Sequence, residues 1–256
     1  MKAKIQLKGV AKHFGDNRVL EGVDLDVMEG ESVVLIGGSA AGKSLVLKCI
    51  LGLVTPDEGS ILIDGAETVG IGERERTRLF DRTGMLFQQN ALFDSLTVWE
   101  NVAFRLMQDH GLPAAKARDA AITKLVAVGL EADVGDLMPS EISGGMQKRV
   151  GFARAIAAEP EIVLLDEPTA GLDPIMTNII NEHILEGVHR LGATTLSITS
   201  DMAGARKIAD RIAMLHDGRI IWCGATDEVD NSGNPYLDQF IHNRADGPIQ
   251  MAITAA

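Results

Sequence analysis

Aromatic side chains are scarce in this 256-residue sequence: Phe, Tyr and Trp together make up 4% of it. With 46% of residues apolar, a core must therefore be built from aliphatic side chains, as in buried parallel sheets flanked by helices. Cysteine is scarcer still. Cys49 and Cys223 have no metal-ligand spacing, which excludes a disulfide framework or a cysteine metal site and predicts two buried, reduced thiols. No uncharged apolar run approaches the ~18 residues a spanning helix needs, and Met1–Lys8 has no apolar signal region. The expectation is a cytoplasmic protein. Basic residues are outnumbered, 24 Lys and Arg against 36 Asp and Glu, for a formal charge of −12. That balance argues against broad nucleic-acid binding and against direct adsorption to an anionic bilayer. Any membrane association should run through a protein partner. Internal repeats and low-complexity tracts are also missing.

What the sequence does contain is Gly37-Gly38-Ser39-Ala40-Ala41-Gly42-Lys43-Ser44, which fits the phosphate-loop pattern G-x-x-x-x-G-K-[ST]. Ser32–Ile36 before it is a short apolar run, expected as a buried strand, and Leu45–Leu51 after it reads as a buried helix. A strand, a glycine turn and a helix start aim backbone N–H groups and a helix dipole at one point, which attracts phosphate. Lys43 is placed to reach the β- and γ-phosphates and Ser44 to ligate Mg²⁺.

Short strands are expected at Ile5–Leu7, Val33–Ile36, Ser60–Ile63 and Gly84–Phe87 in the first ~90 residues, then at Ile162–Leu165, Thr195–Thr199 and Ile212–Leu215. Between about 90 and 160 the pattern turns helical, with Ile122, Leu125, Val126 and Gly129 expected on one face. The reading is an α/β nucleotide-binding core with a helical insertion. Residues 223–256, ending in Met251–Ala256, read as an appended tail, expected to contact a neighbouring subunit.

Ile162-Val163-Leu164-Leu165-Asp166-Glu167 is an aliphatic strand delivering two carboxylates at its C-terminal edge, beside the phosphate loop. Asp166 suits Mg²⁺ and Glu167 suits orienting or deprotonating a water. Ser143-Gly144-Gly145-Met146 opens a further helix, with Ser143 as its cap. A second phosphate-binding helix start, in a chain that already has one, suggests a loop that covers the nucleotide of a second molecule.

Taken in order, these motifs resemble an ATP-binding-cassette (ABC) ATPase subunit over roughly residues 4–222. Ile142–Arg149 resembles the family's signature stretch and Ile162–Glu167 its Walker B strand. Ala170–Pro174 resembles the D-loop and Met85–Gln89 the Q-loop, whose Gln88 stands 45 residues after Lys43. The resemblance implies a P-loop NTPase (RecA-like) core with an ABC-type antiparallel β edge and an inserted helical subdomain. It implies one ATPase domain over 1–222, with the insertion at about 90–160. It also implies ATP and Mg²⁺ as ligands, and a head-to-tail homodimer. Phe14, Gly37, Gly38, Ser39, Ala40, Ala41, Gly42, Lys43, Ser44, Leu45, Gln88 and Asp166 would bind nucleotide, with Ser44, Gln88 and Asp166 at the metal. Ser143, Gly144, Gly145 and Asp173 would contact the partner's ATP. Glu167, Lys43 and Ser200 would serve catalysis. Leu92, Phe93, Leu96, Val98 and Trp99 would help receive a permease on the cytoplasmic face of the inner membrane.

Three departures refine that implication. Met146 stands where most members have Gln, a variant similar to the Mla/Mkl subgroup that serves Mce-protein phospholipid transporters and maintains outer-membrane lipid asymmetry. An amino-acid importer, or a nucleotide-gated scaffold with little hydrolysis, are the alternatives. Ala40 and Ala41 replace Gly and Ser or Thr, so the backbone at Ala40 is expected to avoid positive φ. Ser200 stands where the family has a switch histidine, and one lost polar contact of this kind costs roughly 10²–10³ in rate. Slow hydrolysis is the expectation.

Overall fold

Alternating buried side chains Ile5, Leu7 and Val10 on β1 (Ala3–Phe14), and Leu20, Val23, Leu25 and Val27 on β2 (Asn17–Met28), give one apolar face to a long hairpin turned at Gly15–Asp16. The computed structural model describes residues 2–250, so Met1 and the expected end of the tail, Met251–Ala256, lie outside the described residues. β4 (Glu58–Ile63) and β5 (Ala66–Glu67) complete an antiparallel sheet in the order β2-β1-β4-β5, with β3 belonging elsewhere.

β3 (Ser32–Ile36), β6 (Thr83–Leu86), β7 (Ile162–Asp166), β8 (Thr194–Ile198), β9 (Arg211–His216) and β10 (Arg219–Ala225) form the second sheet, in the order β10-β9-β3-β8-β7-β6. All of its pairings are parallel except the β9–β10 hairpin. Every residue of β7 and β8 is buried, as expected where helices cover both faces of a parallel sheet. The predicted α/β architecture with an antiparallel edge is what the chain adopts. β2, β5 and β10 are additions to it.

α1 (Lys43–Ile50) follows β3 and sends Val46, Leu47, Cys49 and Ile50 into the aliphatic layer between the two sheets. α2 (Glu73–Asp81) buries no residue at all, which is why no apolar periodicity announced it. α3 (Val98–Gln108), α4 (Ala114–Ala127) and α5 (Gly144–Ile156) share a second core centred on the fully buried Phe152, into which α6 (Pro174–Leu191) packs Ile180, Ile184 and Val188. On α4 the buried stripe is Ala117, Ala121 and Leu125. Val126, expected on that face, is 55% exposed, because one step past Leu125 turns its side chain outward.

α7 (Met202–Ile208) and α8 (Pro235–Ile241) close the remaining face of the sheet. Ala205, Ile208, Val229 and Leu237 pack there on Val34, Ile36 and Met214. The stretch beginning at 223 is therefore continuous with the fold: β10 runs through that position. The Gln239 amide, buried, then ties down residues up to 249 through bonds with Arg244 O, Ile249 O and Ile249 N–H. Cys49 is buried as predicted, and burial pushes its thiol up to about 11. Cys223 corrects the expectation: it is exposed on the edge strand β10, where its sulfur accepts a bond from Arg211. No helix among the described residues is long and apolar enough to cross a membrane.

Candidate functional site

Between β3 and α1 the chain doubles back so tightly that a Cβ on Gly37 would stand 2.3 Å from Leu215 O of the neighbouring strand β9. Only glycine fits. Ala40 corrects the expectation drawn from its Cβ: it adopts φ +65°, in the left-handed region. Aiming successive N–H groups inward requires that turn, and alanine is the smallest side chain that still has to bear its cost. α1 then opens on Gly42, and its own N-terminal amides point into the concavity.

Lys43 is buried, and its Nζ donates to Gly37 O at 2.8 Å and Gly38 O at 3.0 Å. Burial lowers its pKa, opposed by the Glu167 and Asp166 carboxylates. Ser44 Oγ donates to Asp166 Oδ1 at 3.0 Å. Burial raises the pKa of Asp166, and the Ser44 bond with Lys48, Lys43 and Lys148 pulls it back only in part.

Glu167, just past β7, takes φ +48°. Its N–H donates to Ile198 O at 2.9 Å, and its Oε2 accepts the Ser200 N–H at 3.3 Å. One cavity of about 520 Å³ collects Phe14, the loop from Ser39 to Leu45, Gln88, Glu167 and Ser200. Gly37 and Gly38 anchor Lys43 beneath it, and Asp166 enters through Ser44. Phe14 is 55% exposed at the rim, with Lys12 Nζ 5.5 Å from its ring centroid.

Val19, Lys48 and Val54 also line this cavity. Lys48 was legible, being one turn beyond Ser44 on the same face of α1. Val19 and Val54 come from other segments and carried no local signal.

Ser143, Gly144, Gly145 and Asp173 stand elsewhere in the chain. Ser143 caps α5 through the Met146 N–H, at 3.3 Å. Asp173 caps α6, accepting the Ile175 and Met176 N–H groups at 3.0 Å each. Met146 itself packs against the helical core, in keeping with an apolar residue at that position. A separate apolar groove of about 500 Å³ lies between the sheet and the helical region, lined by Leu53, Phe80, Met85, Phe87, Phe93 and Phe104. Of the five residues expected at such a groove, Phe93 alone lines it. Val98 is fully buried, and Leu92 and Trp99 pack on the helical core.

The sequence profile described as "ABC transporter" matches residues 20–170. The chain is 39% identical to the "Probable ribonucleotide transport ATP-binding protein mkl" of Mycobacterium leprae, covering 98% of this chain and 72% of that one. It is 36% identical to the "Intermembrane phospholipid transport system ATP-binding protein MlaF" of Escherichia coli, covering 96% of this chain and 91% of that one. Among solved structures, a dimeric ATP-binding cassette in a post-hydrolysis state bound to ADP and Pi superposes with a TM-score of 0.80 at 33% identity. That match covers 87% of this chain and 98% of the cassette.

Proposed function

The chain belongs to the ABC transporter ATP-binding family, and on that premise we propose that this ATPase powers the movement of phospholipid between membranes. One observation carries the ATPase chemistry: phosphate loop, Gln88, Glu167 and Ser200 face a single cavity. The lipid assignment is supported by the phospholipid-transport relative, 91% of whose length this chain covers, and by Met146 standing where most of the family has Gln.

In this reading the N–H groups of the loop and of the α1 start hold the phosphates, and Lys43 exchanges the Gly37 and Gly38 carbonyls for phosphate oxygens. Glu167 orients the attacking water and takes its proton as the oxygen closes on the γ-phosphorus and the bond to the β-phosphate opens. The Ser200 N–H steadies the accepting carboxylate, and its hydroxyl offers one donor where the family's histidine would stand. Ser44, Asp166 and Gln88 present oxygen donors, the set that fits Mg²⁺. Those three residues would hold that ion, which would supply positive charge to offset the negative charge developing on the phosphates.

The caps at Ser143 and Asp173 lie outside their own chain's cavity. They are given instead to the nucleotide of a second copy, which makes the working unit a head-to-tail dimer. The groove around Phe93 receives a helix of a membrane permease, holding the ATPase on the cytoplasmic face of the inner membrane in a complex with an Mce-type lipid-binding protein.

Purification of the tagged chain from detergent-solubilised membranes tests this. A copurifying polytopic permease with an Mce-type protein supports it, and a permease with a soluble-solute receptor overturns the lipid assignment. In that complex Glu167→Gln is expected to abolish turnover. Ser200→His is expected to raise turnover by roughly 10-fold or more. An unchanged rate for Ser200→His removes position 200 as the brake.

A further inference from the structure

Lys148 is buried beside the catalytic cavity and has no part in the chemistry above. It lies on α5, five residues beyond Ser143, or about 7.5 Å along the helix axis. Its Nζ donates to Gln88 O at 2.5 Å and to Glu167 O at 3.3 Å. A side chain of the signature helix thus holds the peptides of two cavity-lining residues from separate segments of the chain. Burial lowers its pKa, and the Asp166 and Glu167 carboxylates oppose that.

The same strip of α5 grips the loop further along. Gly151, three residues on, allows the helix to close on the end of β6 that leads into that loop: a Cβ there would stand 2.8 Å from Leu86 Cδ1 and 3.6 Å from Asn90 Cβ. Arg154, three further, donates to Asn90 O at 2.6 Å and Ala91 O at 2.7 Å. Asn90 and Ala91 are consecutive non-glycine residues in the left-handed region, at φ +60° and +49°. Such a pair persists only where its surroundings hold it. α5 and the segment 86–91 therefore form one mechanical body, and Lys148 is the only one of the three contacts that also reaches Glu167.

Glu167 is in turn fixed at all three of its polar points: N–H on Ile198 O, carbonyl accepting from Lys148 Nζ and from the Ala170 N–H at 3.2 Å, carboxylate on the Ser200 N–H. Displacing α5 moves one of these anchors directly. We propose that Lys148 is a positioning residue through which the placement of α5 sets the aim of Gln88 and Glu167 in its own chain. Nucleotide engaged by the α5 start of this chain, in the second copy's cavity, then governs turnover in this chain's cavity. The proposal rests on the dimer reading given above.

The test is Lys148→Met in the full chain within the complex purified from membranes. Methionine keeps most of the length and removes every donor. Nucleotide affinity should stay within about threefold. The kcat should fall roughly 10- to 100-fold, and the Hill coefficient for ATP should drop to about one. Lys148→Gln, which keeps an N–H₂ group, should restore part of both, and it also serves if the Met variant melts early. Wild-type kcat and Hill coefficient in Lys148→Met overturn the proposal, as does a kcat loss wholly matched by lost affinity. A wild-type complex with a single copy of this chain would instead overturn the dimer reading, and the coupling with it.

Discussion

At Ala40 the chain accepts strain for the sake of phosphate geometry. The left-handed region costs an L-residue about 1–2 kcal/mol, whereas glycine there adds about 0.4–1 kcal/mol of unfolded-state entropy. These nearly offset, so Ala40→Gly should shift stability by no more than about 1 kcal/mol in a denaturant titration. Ala40→Val, which places a branched Cβ at φ +65°, should weaken nucleotide binding at least tenfold by the same geometry. Asp166 makes the opposite trade. Because burial raises its folded pKa above the usual carboxylate value, its ionised form costs stability at neutral pH, and that cost fades as pH falls through the folded pKa. Asp166→Asn should therefore melt higher than the wild type at pH 7 while losing ATPase activity. A lower melting temperature would show that its bond from Ser44 outweighs desolvation.

Among the elements, β8 is the least expected in composition: three of its five residues are hydroxyl-bearing, and all five are buried. Thr195 Oγ1 and Ser197 Oγ are buried without a hydrogen-bond partner. An orphan hydroxyl keeps its desolvation cost with nothing returned, so Ser197→Ala should be neutral or stabilising by about 1 kcal/mol, read from chemical denaturation. A loss above that value would mean a bound water satisfies the group. Periodicity found β8 because a buried central strand is uniform along its length. It missed α2, which buries nothing, and placed Val126 on the wrong side of α4, where one residue of phase turns a helix face by about 100°.

Across the whole molecule, the two sheets are fastened at one edge by a cluster of four charges. Lys4 on β1 meets Glu161 at 2.6 Å and Asp64 at 3.1 Å, and Arg82, before β6, bonds both carboxylates. The Arg82 guanidinium, followed by Lys4, holds Glu161 at about 2 against an ordinary 4.5. A depressed folded pKa contributes stability that is fully present above the unfolded value, near 4.5, and is lost as pH falls through about 2. Glu161→Gln should lower stability at pH 7 by only about 1 kcal/mol, since its side chain is half exposed and screened. Its stability should also depend less on pH between those two values. A pH dependence identical to that of the wild type would remove Glu161 from the acid response.

The phosphate loop and the carboxylates ending Ile162–Glu167 stood out without coordinates, because each depends on residues close in the chain (a strand end, a tight turn, a helix start), whereas Gln88 was named only through the resemblance to the family. The order of those motifs was enough to place the family and the α/β core. Tertiary structure alone decided which distant segments close the cavity, bringing Val19 and Val54 to it. It also decided that the stretch from 223 to 249 packs on the core, and that Lys148 spans Gln88 and Glu167. Those contacts join residues 60 and 19 positions apart and are set by how α5 lies across the sheet. Local periodicity reports which side of an element is buried, and only packing chooses what it is buried against.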